Sequence, residues 1–362
     1  MAVVQQSKNQ GVAKLDSRPQ GESLWVDAWR RLRRNRMAVL GLFIIIAALL
    51  VAALAPVLAP KAPDKQVLAD NNSAPRWVTQ LFPSMRPRDE GGYVPINDAY
   101  PIGADGLGRD LLSRIIFGTR VSLAVAFIGP LSAMLVGIPF GLVAGYLGGR
   151  ADNIMMRFVD IMYAFPTLLL IILLMAFFRS STAQNAPGTF AYELGRLDAA
   201  MGGMLFIAVG VGFTSWMGLA RLVRGQILSV REKEYIEAAR SMGVGTRGIM
   251  FRHMLPNILG PIIVAETLTI PTYISYEAFL SFIGLGVQAP TPSWGGMIAE
   301  GARNITSYPS QAIFPAVALF LIMFAFNFLG DGLRDALDPG CAAWIKGKRL
   351  NAKARSRQDA KG

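Results

Sequence analysis

The sequence predicts an all-α polytopic membrane protein of six spanning helices, with a polar cytoplasmic insert between the fourth and the fifth. Three observations carry that fold class. The chain of 362 residues is 52% hydrophobic and only 17% charged, against about 25% charged in soluble domains. Its apolar residues sit in blocks: 37–59, 121–149, 161–178, 199–220 and 304–330 hold no charged side chain, and a sixth block, 258–287, holds only Glu266 and Glu277. Each block approaches or exceeds the roughly 17–25 residues that a helix needs to cross hydrocarbon. In that medium the backbone must satisfy its own hydrogen bonds, which favours helices, and runs this uniformly apolar do not alternate as barrel strands do.

The net charge of +12 is distributed as membrane topology requires rather than as a nucleic-acid surface. Eight Lys and Arg precede residue 37, seven lie in 221–252 and eight follow residue 330, whereas 179–198 holds two and 288–304 holds one. The positive-inside rule then makes the N-terminus, the insert and the tail cytoplasmic. The loop 60–117 carries seven basic residues offset by seven acidic ones, and the sequence places it outside. A single cysteine, Cys341, and a single histidine, His253, leave no disulfide framework, no Cys- or His-rich metal site and no His-based triad within the spans. The first apolar run begins after 36 residues and is too long for a signal core, so it reads as the first anchor.

The expected segments are an N-terminal stretch 1–36 with an amphipathic helix, spans at 37–59, 118–147, 153–178, 199–222, 258–287 and 305–330, an outer loop 60–117, an insert 223–257 and a basic tail 331–362. Trp25, Trp29 and Leu32 share one face of the N-terminal helix, with arginines opposite. At the end of the outer loop, YPIGADGLGRDLLSRIIFG from Tyr100 has turn glycines and then Asp110, placed to cap a short helix on the outer face that leads into the second span. Gly137, Gly141 and Gly145 recur every four residues in that span, a pattern that lets helix backbones approach closely. Pro130 and Pro139 are expected to kink it unless neighbours relieve them.

The insert is patterned. Arg231 to Met242 reads as a helix with Tyr235, Ala238, Ala239 and Met242 on one face, directed away from the membrane. Gly243 stops it, Thr246 is placed to cap a second helix over 247–254, and Pro256 restarts the chain as the fifth span. This has the form of a plug for a groove on another protein. Lying flat on lipid, or packing on the chain's own loops, remains open at this point. Among ionisable groups in or near spans, Asp160 has Arg157 one turn away. Glu266 and Glu277 are candidates to line a wet pathway and meet a peptide amine, and Asn327 is placed to bond between helices.

Glu237-Ala238-Ala239, then Gly243 and Leu255-Pro256 at this spacing resemble the cytoplasmic signature of permease subunits of bacterial ABC importers. His253 departs from the aliphatic residue common there, and the RHMLPN form is similar to the peptide and nickel branch. The outer Tyr100–Asp110 stretch, with Tyr100, Ile102 and Ala104 as departures, resembles that branch too, as do FGTRVSL at Phe117, PTPSWGGM at Pro290, NFLGDGLRDALDP at Asn327 and the opening RRLRRNRMAVLGL. The likeness covers roughly 25–339 and fits the second, C-type subunit of a dipeptide or oligopeptide permease pair.

The resemblance implies a coupling helix at Glu237 to Gly243, seated in a cleft of an ATPase subunit. Its docking residues are then Glu237, Ala238, Ala239, Gly243, Leu255 and Pro256. It implies as partners a second permease subunit, two ATPase subunits and an extracytoplasmic solute-binding protein, in the cytoplasmic (inner) membrane. The chain has no GxxxxGKS/T loop to cradle phosphates; its Gly347-Lys348 is followed by Arg349. ATP and Mg therefore belong to the partners, and the chain needs no cofactor and no catalytic residue of its own. The alternatives are a gradient-driven transporter relaying through Asp160, Glu266 and Glu277, and a permease of the same kind for another solute such as nickel.

Overall fold

The computed structural model describes residues 24–183, 186 and 188–337. The Trp25 side chain, residues 1–23 and the tail 338–362 with Cys341 lie outside the described set. Fourteen α-helices follow in order: α1 Leu24–Leu32, α2 Arg36–Ala53, α3 Ala55–Leu58, α4 Arg76–Leu81, α5 Leu111–Leu147, α6 Gly149–Tyr163, α7 Thr167–Ala183, α8 Phe190–Ala200, α9 Met204–Val230, α10 Glu234–Ser241, α11 Thr246–Gly248, α12 Leu255–Phe282, α13 Trp294–Ala302 and α14 Ser310–Leu337. Among the described residues there are only three isolated β-bridges and no strand. The runs through α2, α5, α9, α11–α12 and α14 are long and apolar enough to cross a membrane. The pair α6 and α7 makes a sixth candidate, bent by 78°.

Several elements differ from the sequence's expectation. The third span is not one straight helix over 153–178: it breaks at residues 164–166, just ahead of and at Pro166. Proline disfavours helical geometry in the residue before it, so α6 turns away from α7. The short helix expected before the second span is instead the first turns of α5, continuous from Leu111 through both internal prolines. The fourth span runs on to Val230, where the apolar block ends at Ala220. Asp110 does cap α5, its carboxylate accepting from the Ser113 amide at 2.7 Å. Asn35 caps α2 in the same way, accepting from the Met37 and Ala38 amides.

The core is built on α5 and α9. A Cβ added to Gly137, Gly141 or Gly145 would lie 2.8 Å from the Trp216 carbonyl oxygen, 2.5 Å from the Ala220 carbonyl oxygen, or 2.8 Å from the Ile227 Cβ. Hydrogen is therefore the only side chain that admits the α9 backbone at this distance. Leu142 of α5 and Leu219, Val223 and Ile227 of α9 form one buried cluster with Ile258 and Ile262 of α12. The same cluster takes in Ile236 of α10 and Ile249 and Met254 of the turn that leads into α12. A second cluster joins α2, α5, α12 and α14 around Ile45, Ala126, Ile270, Ile274 and Phe326. The N-terminal helix packs Ala28 and Leu32 against Leu333 and Leu337 of α14 and leaves Trp29 about half exposed.

Gly141→Leu is expected to lower stability by about 1–3 kcal/mol through overpacking, read as the thermal midpoint of the detergent-solubilised chain. Gly225→Ala, on the same helix pair but with nothing within 4 Å of the added methyl, is expected to hold or raise it.

Candidate functional site

Two features stand out: the insert, and a polar groove among the spans on either side of it. In the insert, α10 ends at Ser241 with Met242 as its cap, and Gly243 adopts φ 78°. The Gly243 amide donates to the Arg240 carbonyl at 2.9 Å and the Val244 amide to the Ala239 carbonyl at 3.1 Å. That pair of bonds closes the helix end in the left-handed glycine motif. Thr246 is not a cap: it is the first residue of α11, and Gly245 precedes it with no side-chain bond.

The chain does not break before α12 either. Ile249–Met254 form a π-turn that runs straight into α12, with Pro256 in its first turn. Proline is tolerated at a helix start, and a widened turn is a common way to absorb a local mismatch.

The insert has two faces. Ile236, Ala239, Ile249 and Met254 are buried against the spans. Tyr235, Met242 and Phe251 are exposed at 44%, 75% and 53%. The expected single face thus divides: Ala239 turns inward, while Tyr235, Ala238 and Met242 face out with Glu237 and Gly243. The insert is also tied to the end of α5. Arg231 donates to the Gly145 carbonyl at 3.3 Å, and the Arg240 guanidinium lies 5.6 Å over the Tyr146 ring.

The polar groove has a volume of about 380 Å³, within the size range of small-ligand sites. Thr214 and Ser215 of α9, Glu266, Thr269 and Tyr273 of α12, and Tyr163 at the α6–α7 corner line it. Glu266 is buried and accepts from the Tyr273 hydroxyl at 3.3 Å. It lies about 16 Å from the start of α12 at 1.5 Å per residue. Glu277 is not brought to this groove: it is fully buried and accepts from Ser281 at 2.8 Å. Asp160 does not pair with Arg157; it takes Arg221 of α9 at 2.6 Å, and that guanidinium also covers the Tyr163 ring at 4.1 Å. Asp152 of α6 holds Arg224 through two bonds. These two bridges attach α6 to the basic end of α9. Asn327 donates to the Met323 carbonyl of its own helix at 3.1 Å instead of bonding across to another.

At the opposite end, the turn 105–110 is fixed by charge. Asp105 accepts from Arg109 at 2.6 Å and also from Arg114, and both arginines reach Glu300 of α13 at 2.8 Å. Arg109, Arg114 and Asp105 are nearly inaccessible, while Glu300 is half exposed. The Trp294 indole donates to the Ile115 carbonyl at 3.0 Å and fills the space beside Gly118. Tyr100 donates to Asp70 at 3.0 Å; burial, then that hydrogen bond, pushes its hydroxyl up to about 12, so it stays protonated as the donor.

The residues that sequence reasoning missed are the α9 arginines and the groove hydroxyls. Thr269 and Tyr273 sit three and seven residues from Glu266, one face of a helix, and that periodicity was available. The pairing of Arg221 and Arg224 with α6 needs the bend at Pro166, which spacing alone does not give.

Comparison with known proteins defines the class. Residues 137–342 match the model of the binding-protein-dependent transport system inner membrane component, and residues 23–75 match the N-terminal TM domain of oligopeptide transport permease C. The chain belongs to the family of binding-protein-dependent transport system inner membrane components. It is 40% identical to the dipeptide transport system permease protein DppC of Bacillus subtilis, over 86% of this chain and 85% of that one. It is 41% identical to the oligopeptide transport system permease protein OppC of Escherichia coli, over 88% and 92%. It is 39% identical to the glutathione transport system permease protein GsiD of Pectobacterium atrosepticum, over 87% and 91%.

Removing the shared anion of the Asp105 network leaves two buried arginines facing only Glu300. Asp105→Ala is expected to destabilise the 60–110 region by about 3–5 kcal/mol. Limited proteolysis is the readout: the loop should be cut faster in the variant, and an unchanged cleavage rate would show the network to be dispensable.

Proposed function

We propose that this chain is one of two permease subunits of an ATP-driven importer of di- or oligopeptides, and that its insert is the handle by which partner ATPases move the pathway. The observation that carries the reading is the double face of the insert. Its inner residues belong to the same buried cluster as α5, α9 and α12, so force on it reaches the spans directly. Its outer side offers Tyr235, Met242 and Phe251, exposed apolar groups at the tip of a basic, polar loop. A short helix laid in a groove is a common recognition mode. Glu237, Ala238, Ala239 and Gly243 contribute to that contact, and Leu255 and Pro256 set the exit into α12.

The basic residues near the insert and at the N-terminus orient both toward the cytoplasm. ATP and Mg are held by the partner ATPases, and this chain contributes no catalytic group. A solute-binding protein on the other side delivers the substrate to the end bearing α13 and the 60–110 loop. ATP-driven closure of the partners pulls the insert, and the packed body of α5, α9, α12 and insert rotates against the second permease, a rigid-body form of alternating access. The groove beside Glu266 lies on the path.

Peptides are favoured over nickel by the names of the relatives, which are dipeptide, oligopeptide and glutathione permeases. A proton or sodium relay finds its three carboxylates apart: Asp160 is bound to Arg221, Glu277 to Ser281, and only Glu266 faces the groove.

Gly243→Pro and Glu237→Lys test the docking. Proline fixes φ near −65°, against the 78° found at Gly243, and lysine reverses an exposed charge. Both variants are expected to insert normally and to lose co-purification with the ATPase subunits by at least about tenfold, the effect of roughly 1.4 kcal/mol. Recovery of the partners at wild-type levels from both would remove the docking assignment.

A further inference from the structure

We propose that the groove beside Glu266 grips the terminal ammonium of the peptide in transit, which makes Glu266 a specificity-determining residue; this rests on the importer reading above. The groove has one carboxylate and no Lys, Arg or His among its lining residues. Arg221 comes near its edge, but that guanidinium is held by Asp160 and covers Tyr163. A carboxylate buried among spans is costly without a cationic or hydrogen-bonding partner. Here Glu266 has one long bond, from the Tyr273 hydroxyl at 3.3 Å.

The hydroxyls around it reinforce the sign. Thr269 donates its proton to the Ala265 carbonyl at 2.8 Å, Thr214 to the Val211 carbonyl at 3.1 Å and Ser215 to the Gly212 carbonyl at 3.2 Å. The Thr269 and Thr214 protons are committed to their own helices, which leaves their oxygens to the groove as acceptors, while the Ser215 hydroxyl is shared with Ser132 of α5 at 3.2 Å. The groove thus sets a single carboxylate beside the Thr269 and Thr214 acceptor oxygens and the Tyr163, Thr167, Thr272 and Tyr276 hydroxyls, with no cationic side chain in its lining. An ammonium brings three donors and no acceptor, and bonds in which both partners are charged are the stronger kind. The carboxyl end of a peptide meets no cation there. The amino end is therefore held and the carboxyl end passes without a partner.

The test uses the assembled transporter, this chain with its permease and ATPase partners, carrying the exposed groove-lining substitution Thr272→Cys in a Cys341→Ser background. A small thiol reagent labels the groove, and one tripeptide is offered with a free amino terminus, N-acetylated, or with its carboxyl end amidated. The free and amidated forms are expected to slow labelling about fivefold or more, on the order expected for one charge-assisted bond. The acetylated form should leave labelling unchanged, and Glu266→Gln should abolish protection by the free and amidated forms. Equal protection by free and acetylated peptides, protection that survives Glu266→Gln, or no protection by any form would each overturn the proposal. ATP-driven uptake of the same three peptide forms by the otherwise native transporter is measured alongside. Uptake without the labelling pattern removes the ammonium site and leaves the importer reading standing; no uptake of any peptide form removes that reading itself.

Discussion

The close approach of α5 to α9 is the constraint on which the rest depends. Three glycines one turn apart let the Trp216 and Ala220 carbonyls and Ile227 sit where any side chain would collide. Between apolar helices in lipid there is little hydrophobic drive, so such contact surfaces supply much of the association. The seam fixes α9, and α9 carries both the lower wall of the polar groove and the chain into the insert. Its partner cluster, with Ile236, Ile249 and Met254, then closes the insert onto the same body. Insert and groove are two ends of one packed unit.

Charge finishes what packing starts. At the basic end, Asp152 with Arg224 and Asp160 with Arg221 hold α6 across the end of α9, bent 78° from α7. At the other end, Asp105, Arg109, Arg114 and Glu300 join the turn before α5 to α13. In the Asp105 set, which is buried, an ion pair contributes little net stability compared with apolar packing but is costly to break; the Arg221–Asp160 pair is largely exposed and contributes little by itself. Both sets therefore act to specify position: one sets the corner beside the groove, the other the turn from which α5 starts.

Much of this was legible in the sequence because the signals were local. Blocks of apolar residues, the four-residue glycine rhythm, Asp110 as a cap and Gly243 as a stop each depend on neighbours within a turn or two. What was not legible depended on contacts far apart in the chain. The apolar stripe of the insert looked like a single outward face, yet Ala239 turns inward with Ile236 because α5 and α12 close over them. Asp160 had Arg157 one turn away, but Arg221 wins because the bend at Pro166 swings α6 across α9. Of the two candidate carboxylates on α12, Glu266 faces the groove while Glu277 is enclosed with Ser281; eleven residues of separation put them on nearly the same side, and neighbouring helices decide which one is covered.

Packed in this way, insert and groove should move as one body. The most direct measurement is the distance between spin labels at Ser241→Cys and Thr272→Cys, in a Cys341→Ser background, within the assembled transporter before and after ATP binding. A single moving body keeps this distance to within about 2 Å while the distance from Thr272→Cys to a label on the second permease changes. A change in the distance between Ser241→Cys and Thr272→Cys as large as one helical turn, about 5 Å, with no change between the permeases, would contradict it.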